Sequence, residues 1–281
     1  MWGFLSSTRV AVLGAGKIGS SLIRGLNKCG VLEIMATGRR RETLRRIAEL
    51  GAKPLRSNRD AVARASLILI SVKPMHYPSI AREIREVVEG RVIVSVMAGV
   101  RLDTLRATLP GALVYRAMPN LNAMIGASTT AISGDRGMQP AAALVNEALQ
   151  CIGSVYWVPE EWLDAWTALA GSAPAFIAEL IDAMVLGAMA TGMPREVAEQ
   201  SILNTLEATA RLLAKRKIHP AYLRDEVTTP AGTTIEGLKI LEKRGVKYAL
   251  IEAIEETARK ASLLGSIIDK QIRERFEKSS L

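Results

Sequence analysis

Val10-Ala11-Val12-Leu13-Gly14-Ala15-Gly16-Lys17-Ile18-Gly19-Ser20 is the stretch that decides the fold. An apolar run passes directly into three glycines spaced as GxGxxG, and a helical pattern over residues 20–28 follows at once. Each glycine has a separate task at a strand-to-helix turn. Gly14 permits the tight turn, Gly16 removes the side chain from the path of a pyrophosphate, and Gly19 lets the helix lie close on the strand. Free N–H groups at the helix N-terminus then hold the anion. Glycines in such a place often do no more than turn the chain, but a strand before and a helix after point to dinucleotide binding, with Lys17 and Ile18 inside the loop.

Outward from this loop, short apolar runs at 10–13, 34–36, 67–72, 91–96 and 114–117 alternate with helical patterns. That alternation predicts a parallel sheet covered on both faces. A further strand pair is expected at 129–132 and 155–158, with a helix over 140–151 between them. After Pro159 the pattern changes to long apolar-periodic helices punctuated by Gly171, Gly192-Met193-Pro194, His219-Pro220 and Pro230-Ala231-Gly232. The expected architecture is therefore an α/β Rossmann-type, NADP-binding N-terminal domain over residues 1–160, followed by an all-α, substrate-binding and oligomerisation domain over 161–281. Residues 176–190 are apolar on nearly every face and are expected to be a buried helix; Glu179 and Asp182 argue against a membrane span. More cover is needed than one small helical domain supplies, so a homo-oligomer built on a dimer through the C-terminal helices is expected.

At the end of the second strand an NAD site carries an acidic residue for the ribose hydroxyls, roughly 20 residues after the glycine loop. Here the chain reads Thr37-Gly38-Arg39-Arg40-Arg41, with no carboxylate between Glu33 and Glu42. Guanidiniums at Arg39 and Arg40 suit a 2′-phosphate through charge-assisted, bidentate hydrogen bonds. NADPH is thus expected, with NADH weaker. The bland alternative is that these arginines coat an exposed helix.

Composition narrows the field further. With 49% hydrophobic and 23% charged residues the chain is an ordinary folded protein rather than a disordered one. A net charge of +9 suits small anionic ligands, and with aromatics at only 4% and no recognisable nucleic-acid motif, no nucleic-acid partner is expected. The N-terminal residues do not read as a secretory signal. Cys29 and Cys151 stand far apart with no CxxC or metal-ligand spacing, so neither a disulfide nor a metal site is expected, and a reducing, cytoplasmic location fits. His76 and His219 read as surface or loop residues.

The second informative stretch is Leu223-Arg224-Asp225-Glu226-Val227-Thr228-Thr229-Pro230-Ala231-Gly232-Thr233-Thr234-Ile235-Glu236-Gly237-Leu238. It is a hydroxyl-rich Pro/Gly turn that opens a helix, and free N–H groups with nearby threonines form a carboxylate site that needs no arginine. Taken alone, Thr233 or Thr234 would more often be a simple N-cap. This stretch resembles the signature of the pyrroline-5-carboxylate reductases. Further landmarks of that family follow in order: the glycine loop, Val72-Lys73-Pro74, Ala98-Gly99-Val100, Met118-Pro119-Asn120 and Ala168-Leu169-Ala170-Gly171-Ser172-Ala173-Pro174-Ala175-Phe176.

The resemblance implies hydride transfer from NADPH to a cyclic imine acid, 1-pyrroline-5-carboxylate, giving L-proline. It implies that Thr234 is the catalytic residue, hydrogen-bonding the ring nitrogen and acting as, or positioning, the proton donor, and that Thr229, Thr233 and the backbone around Val227 and Gly232 receive the substrate carboxylate. It further implies that Asn58, Val72, Lys73 and Ala98 line the cofactor with Thr37, and that Glu160 stands near the substrate. The chain departs from the family pattern at Leu121-Asn122, Ala173, Phe176 and Ala231, which leaves room for another cyclic imine acid. A β-hydroxyacid-dehydrogenase-like enzyme would need a lysine on the helix after Gly171-Ser172, and none occurs there. A non-catalytic NADP-binding regulator would not be expected to keep the threonine cluster.

Overall fold

The computed structural model describes residues 3–277. Alternating strand residues face opposite sides of a sheet, so the apolar runs supply two cores at once. Eight strands form one sheet: β1 (Arg9–Leu13), β2 (Glu33–Thr37), β3 (Lys53–Leu55), β4 (Leu67–Ile70), β5 (Val92–Ser95), β6 (Leu113–Met118), β7 (Ser128–Gly134) and β8 (Gly153–Trp157). Their order is β3-β2-β1-β4-β5-β6-β7-β8, parallel except between β6 and β7. The chain reverses direction of travel across the sheet between β3 and β4, which places a crevice outside the carboxyl ends of β1 and β4.

Six helices cover this sheet: α1 (Lys17–Lys28), α2 (Arg41–Glu49), α3 (Asn58–Arg64), α4 (Tyr77–Ile84), α5 (Leu102–Thr108) and α6 (Ala141–Gln150). On one face Val10, Val12, Leu67 and Leu69 pack with Leu22, Ile23 and Leu26 of α1 and Val145 and Leu149 of α6. On the other, Ala11, Leu13, Ile68 and Ile70 pack with Val62, Ile80, Ala81, Ile84 and Leu105. Strand β3 was not expected, because Lys53-Pro54-Leu55 is short, half polar and interrupted by a proline, as an edge strand tolerates.

Beyond β8 a short helix α7 (Leu163–Trp166) runs into a π-helical stretch, Thr167–Ser172, and then into α8 (Ala173–Ala190), α9 (Arg195–Arg216), α10 (Pro220–Val227), α11 (Thr233–Lys243) and α12 (Val246–Glu277). By packing, the chain divides into two compact units: one holds everything up to Ser172 together with the stretch from Glu256 onward, the other is Ala173–Glu255. This division by packing falls between Ser172 and Ala173, a dozen residues beyond the change of pattern at Glu160. The far end of α12 belongs with the sheet, because Ile272 is buried in its second core.

Two expectations need correction. Helix α8 is not a buried helix within the chain: Val185 alone of its residues is buried. The stretch Glu160–Ala190 is long and apolar enough to cross a membrane by length and composition. An apolar helix demands cover, but periodicity does not say whether the same chain provides it. Cys29 and Cys151 form a disulfide, with their Cα atoms 6.0 Å apart. They follow directly on the ends of α1 and α6, two helices on the same face of the sheet, and Gly25 allows the close approach: a Cβ there would lie 2.6 Å from the Cys151 carbonyl oxygen. Spacing along the chain carries no trace of this proximity.

Candidate functional site

At the carboxyl ends of β1, β2 and β4 the structure gives each loop glycine its expected surroundings. Gly14 has a φ of +96°, and an added Cβ would meet Val72 Cγ1 at 2.7 Å and the Ser71 carbonyl oxygen at 2.8 Å. Gly19 is tighter still, its Cβ falling 2.0 Å from the carbonyl oxygen of Gly14. Around Gly16 a Cβ would meet nothing within 4 Å, so the position is open to a ligand. Gly16 is also the N-cap of α1 and offers no side-chain cap, which leaves the first-turn N–H groups free for an anion.

A cleft of about 500 Å³ opens beside this loop, lined among others by Gly14, Gly16, Thr37, Arg39, Arg40, Asn58, Val72 and Lys73. Lys17, Ile18, Gly19 and Ala98 are not part of its lining. Asn58 is fixed from two sides: its Oδ1 accepts the Thr37 hydroxyl at 2.7 Å, and its Nδ2 donates to Glu83 at 2.7 Å. The same carboxylate takes the backbone N–H groups of Asn58 and Arg59.

The cleft holds two cations that sequence reasoning did not single out for it, Arg46 and Arg56. Arg46 donates to the Ala15 carbonyl inside the glycine loop, and Arg56 Nη1 donates to the Arg39 carbonyl at 3.4 Å. Among the described residues, none of Arg39, Arg40, Arg46 or Arg56 has a carboxylate within ion-pair distance. Four uncompensated guanidiniums at one cleft fit a polyanion, and Gly16 leaves the room that a pyrophosphate requires. Arg56 follows β3 directly; missing that strand hid the position at a strand's carboxyl end that makes it informative. Tyr77, beside this cleft on α4, is no candidate acid: burial pushes its phenol far above the ordinary range, and the Thr108 hydroxyl offsets this only in part.

Glu160 belongs to the sheet-bearing unit. Its Oε1 accepts Arg116 Nη1 at 2.7 Å and the Leu102 backbone N–H at 2.8 Å. With Gly99 and Arg116 it borders a smaller cleft of about 320 Å³. Two of the family landmarks also meet within this unit, where buried Asn120 donates from Nδ2 to the Ala170 carbonyl at 3.1 Å.

In the helical unit, α10 ends at Val227 and α11 begins at Thr233, with Gly232 as its N-cap and no side-chain cap. Thr233 and Thr234 are therefore the first two residues of the helix, not caps. Among the described residues the hydroxyls of Thr229, Thr233 and Thr234 make no hydrogen bond. A Cβ on Gly232 would lie 2.3 Å from Thr229 Oγ1, so this glycine lets Thr229 fold against the helix start. Ala231 adopts a φ of +55°, the left-handed region where the family usually has glycine. Arg216 and Glu226 pair in bidentate fashion at 2.5 and 2.7 Å and tie the end of α9 to α10 just ahead of the turn.

A parallel doubly wound sheet with an anion-ready glycine loop and an arginine-lined cleft defines a nicotinamide-dinucleotide oxidoreductase of the Rossmann type. Comparison with known proteins makes this specific. Residues 160–264 match the pyrroline-5-carboxylate reductase dimerisation model, and residues 9–99 match that of NADP oxidoreductase, coenzyme F420-dependent. A pyrroline-5-carboxylate reductase from Thermus thermophilus is 38% identical over 92% of this chain and 98% of its own length. Pyrroline-5-carboxylate reductase 3 of Mus musculus is 35% identical over 91% and 96%. The crystal structure of the Streptococcus pyogenes enzyme superposes with a TM-score of 0.83 at 30% identity, covering 92% of this chain and 99% of that one. A Plasmodium falciparum pyrroline carboxylate reductase with NADP bound shares the fold at TM-score 0.83 and 21% identity. The chain belongs to the pyrroline-5-carboxylate reductase family and is an NAD(P)H-dependent oxidoreductase acting on a CH–NH group.

Proposed function

We propose that the chain reduces 1-pyrroline-5-carboxylate to L-proline and takes its hydride from NADPH in preference to NADH. The observation that carries the substrate half is the start of α11, an uncapped helix N-terminus with Thr233 and Thr234 in its first turn and Thr229 against Gly232, whose three hydroxyls make no hydrogen bond among the described residues. An anionic carboxylate is stabilised there by the N–H groups and the positive end of the helix. Thr229, Thr233 and the backbone around Val227 and Gly232 receive that carboxylate in this reading. The Thr234 hydroxyl, in the first turn, bonds the ring nitrogen and either delivers the proton that nitrogen gains, taking one back from solvent, or positions a water that delivers it. The bound nicotinamide supplies hydride to the imine carbon. Glu160, with Oε1 engaged, is left with Oε2 to stand near the substrate.

For the cofactor, Arg39 and Arg40 with Arg46 and Arg56 hold the 2′-phosphate and pyrophosphate charge. Lys17, Ile18 and Gly19 present the helix start, Thr37 and Asn58 shape the ribose side, and Val72, Lys73 and Ala98 line the nicotinamide side. A homodimer through the C-terminal helices covers α8; a second copy is a better cover than a bilayer, which would have to accept Glu179 and Asp182. The domain roles follow: the sheet-bearing part binds cofactor and the helical part binds substrate and its twin. The assignment to the cytoplasm rests on the soluble biosynthetic relatives and no longer on the cysteines, since the Cys29–Cys151 bond removes the argument from a reducing compartment.

NADPH consumption with pyrroline-5-carboxylate beside its six-membered homologue tests the substrate, and faster turnover of the larger ring would overturn the proline assignment. Thr234→Ala should lower kcat by about a hundredfold with cofactor affinity unchanged. Charge removal at Arg39 with Arg40 should weaken NADPH by tenfold or so while leaving NADH nearly untouched; equal losses would remove the phosphate clamp.

A further inference from the structure

We propose that Asp269, on the far part of α12, is a positioning residue for the nicotinamide end of the cofactor, acting through the turn Met97-Ala98-Gly99-Val100-Arg101. The proposal rests on the reading that NADPH lies across the carboxyl ends of β4 and β5, where that turn begins.

Helix α5 starts without a local cap, because Arg101 occupies the N-cap and its side chain makes no capping bond. Its first N–H groups are served from elsewhere. Asp269 Oδ1 accepts the Arg101 N–H at 3.0 Å, and Glu160 Oε1 accepts the Leu102 N–H at 2.8 Å. Two carboxylates from separate elements therefore grip successive residues of one turn, each through a charge-assisted bond.

Asp269 is itself held in place. It is only 6% exposed, and its Oδ2 takes Arg273 Nε at 3.0 Å while the same N–H also reaches Thr104 Oγ1 at 2.7 Å. Ser266, one turn back, accepts Arg101 Nη2 at 3.3 Å. Between these contacts helix and turn meet backbone to backbone. Gly99 has a φ of +77°, and a Cβ there would sit 2.8 Å from Gly265 Cα; a Cβ on Gly265 would sit 3.3 Å from Gly99 Cα. Gly265 and Asp269 are four residues apart and so share a helix face.

Val100 is fully buried and pins the base of the turn, leaving Ala98 exposed at its tip. In a doubly wound sheet the far half of a dinucleotide lies over this side of the switch point, so the tip is the part of the turn that a nicotinamide would touch. Burying a carboxylate is costly unless its bonds are complete, and here they are complete only because the turn and Arg273 supply them.

The test uses the full-length protein and two ligands, NADPH and 2′-phosphorylated ADP-ribose, which keeps the phosphates but lacks the nicotinamide. Dissociation constants are measured by calorimetry for the parent protein, Asp269→Asn and Gly265→Ala. Both variants should bind NADPH about tenfold more weakly and the fragment unchanged, the loss expected of one charge-assisted bond. Gly265→Ala leaves the carboxylate in place and displaces the turn by a few tenths of an ångström, so it decides the matter if Asp269→Asn fails to fold. Equal loss of both ligands, or of neither, in the folded variants overturns the proposal. A parent protein that binds neither ligand overturns the cofactor reading itself, and this proposal with it.

Discussion

The two units of this chain solve the same problem with opposite success. In the sheet-bearing unit whole strands and the inner faces of the covering helices are inaccessible; in Ala173–Glu255 only Val185 and Ala198 are buried, while Leu186, Leu203, Ile240 and Ile251 stand about half exposed. The helical unit carries α8, a helix apolar on nearly every face, but completes no interior of its own. Apolar periodicity therefore states a demand for cover, and the topology decides whether one chain meets it.

A matched pair of substitutions breaks or sharpens this contrast. Ile68→Ala, in the second core layer, should lower the unfolding free energy by about 4 kcal/mol at every protein concentration. Leu186→Ala should cost an amount that shrinks as the protein is made more dilute. Denaturant curves at two concentrations check both, and a concentration-independent loss for Leu186→Ala would erase the distinction.

The next largest effect concerns the staple that only the first unit has. Cys29→Ser opens a loop whose ends are 122 residues apart in sequence and should cost about 3 kcal/mol. Thermal scans with and without reductant read it: the parent protein should fall to the variant's midpoint when reduced, and the variant should not respond.

A smaller gain is expected in the helical unit. Ala231→Gly relieves a left-handed alanine and should stabilise the protein by roughly 0.5–1 kcal/mol, a net of relieved strain and glycine's greater chain entropy.

The smallest effect comes with pH. The Arg216 hydrogen bonds, and then its charge, hold the Glu226 carboxyl below its ordinary value. A group whose folded pKa is depressed stabilises above its unfolded pKa and loses that contribution as pH falls through the folded one. Arg216→Ala should accordingly lower the thermal midpoint slightly at neutral pH, and the gap should close in acid.

How much of this was legible in the sequence follows the same division. The glycine loop, the central strands and the arginines after β2 were readable because each rests on a local rule: a period of two, a turn that needs glycine, a missing carboxylate at a fixed place. The start of α11 was readable too, as a turn of hydroxyls opening a helix. Lys53-Pro54-Leu55 was not, since an edge strand has little apolar signal, and with it went the position of Arg56. The Cys29–Cys151 bond and the bonds of Asp269 were invisible for a different reason: they join segments 122 and 168 residues apart, and no local pattern encodes which distant elements share a face.

The return of α12 to the sheet sets an order of events on the ribosome. The six central strands can emerge and pair early, but the backbone contact of Gly99 with Gly265 and the bond from Asp269 must wait until the entire helical unit has been translated. A nascent chain halted ahead of α12 would therefore carry its glycine loop and arginines in place while the turn after β5 was held by Glu160 alone, one of its two carboxylate grips still to come.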